Sequence, residues 1–328
     1  MKSSTCFILS IFLVACQTND LQEEYNSEID KPTENQIQIS QTNPSLIILG
    51  NVQDAGSPHA ACKKECCKAL FENPDPTRKV ISLGLIDPTD STNYLFEATP
   101  DMTSQMKHLA ELGNSHKEVP DAIFLTHAHI GHYTGLMYLG KEAMNAKAVK
   151  VYAMPNMANY LTNNGPWSQL VTNQNIALSP LKSDSTIQLN QSIKVIPFVV
   201  PHRDEYSETV GYKIIGPNKS ALFIPDIDKW SKWEKDIIEE VRQVDYAFID
   251  ATFYDDAEIN NRDISEIPHP FIIETMALFK NEPKEEKNKI YFIHLNHTNL
   301  ALRFDSDQLK TILENGFHVG EFGAVFGI

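Results

Sequence analysis

The chain has 328 residues, 42% hydrophobic and 22% charged, with no internal repeats or long low-complexity tracts, which excludes an extensively disordered polypeptide. Its formal net charge of −15 argues against a nucleic-acid partner, because phosphate contacts need a basic face.

Reading from the amino terminus, Lys2 is followed by a short apolar run over residues 7–14, too short to span a bilayer and of the length of a signal-peptide core. It ends in Leu13-Val14-Ala15-Cys16, which resembles the lipobox of bacterial lipoproteins. The resemblance implies a signal peptide over residues 1–15, lipidation of Cys16 and a membrane partner through that anchor. With Gln17 next, where an Asp would favour inner-membrane retention, it implies an outer-membrane protein facing the periplasm. Residues 16–44, rich in Asn, Gln, Thr, Ser and Glu, read as a flexible tether. Residues 45–328 are expected to form one domain, since no internal linker is visible.

Residues 45–50 form an apolar run ended by turn residues and are expected to be a buried strand. Past the first two cysteines, the only others are Cys62, Cys66 and Cys67. An odd cluster in an exported protein points to metal, and a disulfide from Cys62 to one neighbour is the alternative. Strands follow at 79–86 and 93–97, and a helix at 101–112 whose apolar positions share one face. Another strand at 121–125 runs directly into Thr126-His127. Further strands are expected at 149–153, 193–200, 210–215, 221–224, 246–249 and 290–293. Helices are expected at 131–141, 229–242, 271–279 and 306–314. Gly165-Pro166-Trp167 reads as a loop in which Trp167 packs into the core. This alternation fits an α/β class in which two mixed sheets pack face to face between outer helices.

The chemistry concentrates in Thr126-His127-Ala128-His129-Ile130-Gly131-His132, where a strand meets a helix. Three imidazoles at such a corner suit Zn²⁺, which takes neutral nitrogen ligands at about 2.0–2.1 Å. His202, Asp226 and His294 each follow an expected strand.

With these residues in view, the chain resembles the metallo-β-lactamase superfamily, whose signature is H-x-H-x-D-H followed by a distant His, an Asp and a final His. The resemblance implies a four-layer αββα sandwich. His127, His129 and His202 would bind a first metal, His132 and His294 a second, and Asp226 would bridge them. Asp228, further from its strand end, is the weaker bridging choice and reads as a helix cap. The motif's aspartate is replaced by Gly131, so the second site is expected to keep two histidines and a shared carboxylate, with weaker affinity. One or two catalytic metals are therefore expected, Zn²⁺ first, with Fe or Mn as alternatives.

The cysteine segment further resembles the phosphodiesterase and pyrroloquinoline-quinone-biosynthesis B branches, and the resemblance to the B branch extends through Pro201-His202-Arg203-Asp204-Glu205. That implies a structural zinc on Cys62, Cys67 and His297, with Cys66 as substitute. Asp226 and His269 would be the catalytic side chains, His269 contacting substrate. Glu97 and Asp228 are alternative acid–base groups. The implied activity is hydrolysis of a small-molecule ester or phosphodiester by metal-activated water. The competing functions are an oxidoreductase-like metal enzyme related to quinone-cofactor maturation, and a lipoprotein that binds a ligand without turnover.

Overall fold

The computed structural model describes residue 1 and residues 42–113, 117–260 and 262–328. Beyond Met1 the expected signal peptide, Cys16 and nearly all of the expected tether lie outside the described residues.

The first sheet is built from β1 (Ser45–Gly50), β2 (Ser82–Asp87), β3 (Thr92–Phe96), β4 (Ala122–Phe124), β5 (Val149–Ala153) and β6 (Ile176–Pro180). The second follows with β7 (Ile187–Gln188), β8 (Lys194–Val199), β9 (Val210–Ile215), β10 (Ser220–Ile224), β11 (Tyr246–Asp250), β12 (Ile290–Ile293) and β13 (His318–Val319). Finally β14 (Val325–Gly327) returns to the edge of the first sheet. The two seven-stranded sheets run β14-β1-β2-β3-β4-β5-β6 and β13-β12-β11-β10-β9-β8-β7. Each is mixed: β3 to β6 pair in parallel, as do β10 to β13, and the remaining pairs are antiparallel.

Why the strands read as unbroken apolar runs is visible in where alternate residues go. Leu46 and Ile48 face the second sheet, whereas Ile47 and Leu49 face the outer helices of the first. Likewise Ala221 and Phe223 point between the sheets, and Leu222 and Ile224 point to the outer layer. A strand covered on both faces has no polar side to alternate with. The four-layer αββα sandwich expected from the sequence is thus the observed fold. Phe96, Phe124 and Tyr212 pack as an aromatic cluster between the sheets, Phe96 and Phe124 stacked at 4.8 Å.

Two expected helices are not continuous. Residues 131–141 form one α-helical turn, Ile130–Tyr133, then a 3₁₀ segment, Thr134–Leu139. Gly135 lies so close to Thr99 that a Cβ there would stand 2.2 Å from its carbonyl oxygen, and this approach sets the local path. Residues 229–242 form a 3₁₀ turn, Trp230–Lys232, and a short helix, Ile237–Arg242. Trp233 donates its indole N–H to the Val199 carbonyl, and Asp236 caps the new helix by accepting from Ile238 N. Asp228 is not the cap: it accepts from the Lys229 amide and the Lys232 ammonium.

The sequence reading missed the helices Glu65–Glu72, Pro155–Asn163 and Trp167–Thr172. The second is rich in Asn, which favours caps and turns over helix interiors, and it is held by burying Met157 and Leu161. Trp167 packs edge-on against Tyr133, 4.9 Å between ring centroids, in the core role expected of it.

Candidate metal centre

The site lies where the carboxyl ends of β3, β4, β8, β10, β11 and β12 converge. Glu97, Thr126-His127, His202, Asp226, Asp250 and His294 end or follow those strands. The end of β4 is pinned from several sides. Tyr212, fully buried, donates its hydroxyl to the Leu125 carbonyl, and Val210 N donates to Thr126 O at 3.2 Å. Ala128 N donates to the Ser207 hydroxyl at 2.8 Å, and His132 N to His129 O at 3.0 Å. The backbone therefore turns within six residues, and the three motif rings face one another, His127 to His129 at 4.5 Å and to His132 at 4.2 Å.

Asp226 is the hub. Its Oδ2 lies 3.0 Å from His202 Nε2, 3.3 Å from His127 Nε2, 3.7 Å from His129 Nδ1 and 3.9 Å from His132 Nε2. His127, His129, His202 and Asp226 offer ligand atoms all within 4.8 Å of one another. His294 offers its Nε2 from the other side, and its ring lies 5.4 Å from that of His132. The six residues assigned to the centre from sequence are thus brought together, and His294 adopts a left-handed φ of +61° to enter it.

Whether these residues fit a divalent cation is decided by their unmet polar atoms. His127 Nε2, His132 Nε2 and His294 Nε2 are buried without a hydrogen-bond partner. Burying so many polar atoms unsatisfied carries a large penalty. Coordinating a cation removes it, and the nitrogen-rich, carboxylate-bridged donor set suits Zn²⁺, with iron or manganese using the same ligands. Outer partners orient the rings: Thr126 hydroxyl to His127 Nδ1 at 2.9 Å, and Thr252 hydroxyl to His294 Nδ1 at 2.9 Å.

Sequence reasoning missed Asp250. Fully buried at the end of β11, it lies 2.9 Å from His269 Nδ1 and 3.2 Å from His294 Nδ1. Its only sequence signal is an Asp closing a strand beside the one that carries Asp226. His269 stands between Asp250 and Asp226, its Nδ1 3.3 Å from Asp226 Oδ1. Burial opposes its charge, but the two carboxylates push its pKa up to about 10. His132 is raised to about 9: burial opposes the charge, and Glu97 outweighs it. Burial, with His132 nearby, holds His127 well below the usual histidine range. For Asp226 burial again opposes the charge, yet His269 and His202 hold it well below the carboxylate range.

Cys62, Cys66, Cys67 and His297 offer ligand atoms within 4.8 Å of one another, and the three cysteines are free thiols. Cys66 therefore stands in the cluster with Cys62 and Cys67 rather than behind them as a substitute. Its thiol and that of Cys67 are 3.8 Å apart, and Cys67 Sγ accepts the His59 amide at 3.3 Å. Val52 bridges to Leu295, which joins this segment to the strand end carrying His294.

Gly131, where the H-x-H-x-D-H signature has its aspartate, faces Asp54: a Cβ on Gly131 would meet Asp54 Cβ at 2.0 Å. Asp54 also groups with His132 and His294 within ligand distance of one another.

Residues 92–295 match the model of the beta-lactamase superfamily domain. The chain is 23% identical over 309 residues to Coenzyme PQQ synthesis protein B of Methylobacillus flagellatus, covering 84% of this chain and 97% of that protein. Among solved structures it resembles Zn²⁺-bound PqqB from Methylobacterium extorquens, at a TM-score of 0.70, 19% identity, and 87% and 100% coverage of the two chains. A diphosphatase from the PhnP family superposes with a TM-score of 0.61 at 20% identity, covering 88% of this chain and 98% of that one.

Proposed function

This chain belongs to the beta-lactamase superfamily, and on that premise we propose that it is a metal-dependent hydrolase of a small phosphodiester or ester. The observation that carries the reading is the convergence of buried, unpaired imidazole nitrogens on Asp226, with the His269–Asp250 pair beside them. A divalent metal, when bound, supplies Lewis acidity and brings the pKa of water toward neutrality.

The chain's own residues do the rest. His127, His129 and His202 would hold a metal on one side of the centre, His132 and His294 on the other, with Asp226 between them. Asp250 fixes the His269 ring by its Nδ1 and favours the protonated form, so that Nε2 is the atom that donates a proton to a departing oxygen. Zinc and the diphosphatase chemistry named for similar structures agree with this assignment. We also propose export and anchoring through Cys16. Cys16→Ser, expressed in bacteria, should then release the protein from the membrane fraction.

The decisive experiment is metal analysis and turnover of bis(p-nitrophenyl) phosphate and p-nitrophenyl acetate by wild type and His127→Ala. Zinc-dependent turnover lost in the variant supports the reading. A folded His127→Ala protein with undiminished metal and turnover removes it.

A second reading is favoured by the near full-length match to Coenzyme PQQ synthesis protein B. It is an oxidoreductase-like metal enzyme of quinone-cofactor maturation, and it is favoured if the metal-loaded wild type turns over neither nitrophenyl substrate.

A further inference from the structure

We propose that Asp54, from the turn after β1, supplies the carboxylate that the histidine motif lacks, so that the second metal position is built from Asp54, His132, His294 and Asp226. This rests on the metal-centre reading above and goes beyond it.

The first observation is mutual exclusion. A Cβ at position 131 would stand 2.0 Å from Asp54 Cβ, 2.5 Å from its Cα and 2.8 Å from its carbonyl oxygen. No side chain fits at 131 while the turn keeps its path, so Gly131 is what admits the turn. The turn then brings a carboxylate into the space that the motif's own aspartate would fill. Loss of a carboxylate in the motif and gain of one from elsewhere are therefore a single structural exchange.

The second observation is that the site is built to receive it. Asp54 shares ligand distance with His132 and His294, both fully buried, and His132 Nε2 and His294 Nε2 have no hydrogen-bond partner. His132, His294 and a shared Asp226 would hold a cation there with one carboxylate fewer than the motif ordinarily gives, and Asp54 would supply that carboxylate.

The third is that the turn is fixed. Val52 bridges Val80 on one side and Leu295 on the other, and Gln53 N donates to Leu295 O at 2.9 Å. Gly56, at φ +81°, closes the turn by donating its amide to Gln53 O at 2.9 Å. The Gln53 side-chain amide lies against Asp54 Oδ1. Further along, the same segment carries the cysteines whose thiols lie near His297.

The test is zinc stoichiometry and affinity on the full chain, by elemental analysis and chelator competition, with folding followed by circular dichroism. Asp54→Asn, which keeps the volume, and His132→Ala should lose the same equivalent, with affinity at that position falling at least about 100-fold. Gly131→Ala, whose Cβ would meet the Cβ, Cα and carbonyl oxygen of Asp54, should displace the turn and lose the same equivalent. Retention of that equivalent in Asp54→Asn while His132→Ala loses it overturns the inference and leaves the metal centre standing. So does a wild type from which His132→Ala removes nothing. Should His127→Ala and His202→Ala also remove nothing, the metal-centre reading falls with it. If Gly131→Ala does not fold, Asp54→Asn decides alone.

Discussion

Glu97 and His132 form a buried pair, carboxylate Oε2 to ring Nδ1 at 3.4 Å, with neither side chain exposed to solvent. Glu97 holds a left-handed φ of +78° to reach this position. Burial raises its pKa even though His132 opposes the shift. Such a carboxylate orients a ligand ring and raises its basicity without touching the metal. Glu97→Gln is therefore expected to weaken binding at the His132 position about 10- to 100-fold while the fold persists. Titration with a chromogenic chelator checks this. An affinity equal to wild type in a folded protein would show that His132 needs no such partner.

His269 is expected to act on the leaving group and not on metal retention. His269→Gln should lower kcat roughly 10²- to 10³-fold on substrates with poor alcohol leaving groups, with metal content unchanged. On p-nitrophenyl substrates the loss should nearly vanish, because that leaving group departs without a proton. A uniform loss across both substrate types would assign His269 a binding role instead.

The cysteine cluster makes a separate claim about stability. Burial raises the Cys66 thiol to about 12 and also raises Cys67, while the Lys64 amide lowers Cys62. A cation that binds these sulfurs must displace their protons, and that binding energy adds to folding. Cys67→Ser should lower unfolding free energy by on the order of 3 kcal/mol in zinc-replete buffer. Thiol titration of the folded wild type should show the three protected until a chelator is added. Fewer than three recovered thiols after chelation under non-reducing conditions would point to a disulfide.

What the sequence disclosed follows from what is local. β1, β5, β9 and β12 appear with their expected limits, β1 because a run buried on both faces announces itself and β5 because buried Val149, Val151 and Ala153 alternate with exposed Lys150 and half-buried Tyr152, and His202, Asp226 and His294 stand at strand ends that periodicity locates. The break after Lys232 was hidden because a tertiary hydrogen bond, Trp233 to Val199, draws the chain out of the helix. Asp54 was hidden for the same kind of reason. It sits in a polar turn with no periodic signal, and only packing against Gly131 reveals it. Gly131 by itself reads as a lost ligand, although in the fold it makes room for a carboxylate.

Glu258 gives a pH dependence remote from the catalytic residues. Burial raises its pKa to about 7, even though it accepts the Tyr254 amide and, at 2.7 Å, the Thr298 hydroxyl. A carboxyl that binds its proton more tightly folded than unfolded stabilises the fold fully below its unfolded pKa of about 4.3. That contribution is lost as pH rises through about 7. Above that, the buried carboxylate costs a constant amount, on the order of 2 kcal/mol once residual solvent screening is allowed for. Glu258→Gln keeps an acceptor for the Tyr254 amide and removes the ionisation. Its unfolding free energy should fall less steeply than wild type between pH 5 and pH 7, as followed by urea denaturation, and exceed wild type at pH 8. Parallel pH profiles for the two proteins would mean that Glu258 ionises in the folded state no less readily than in the unfolded chain.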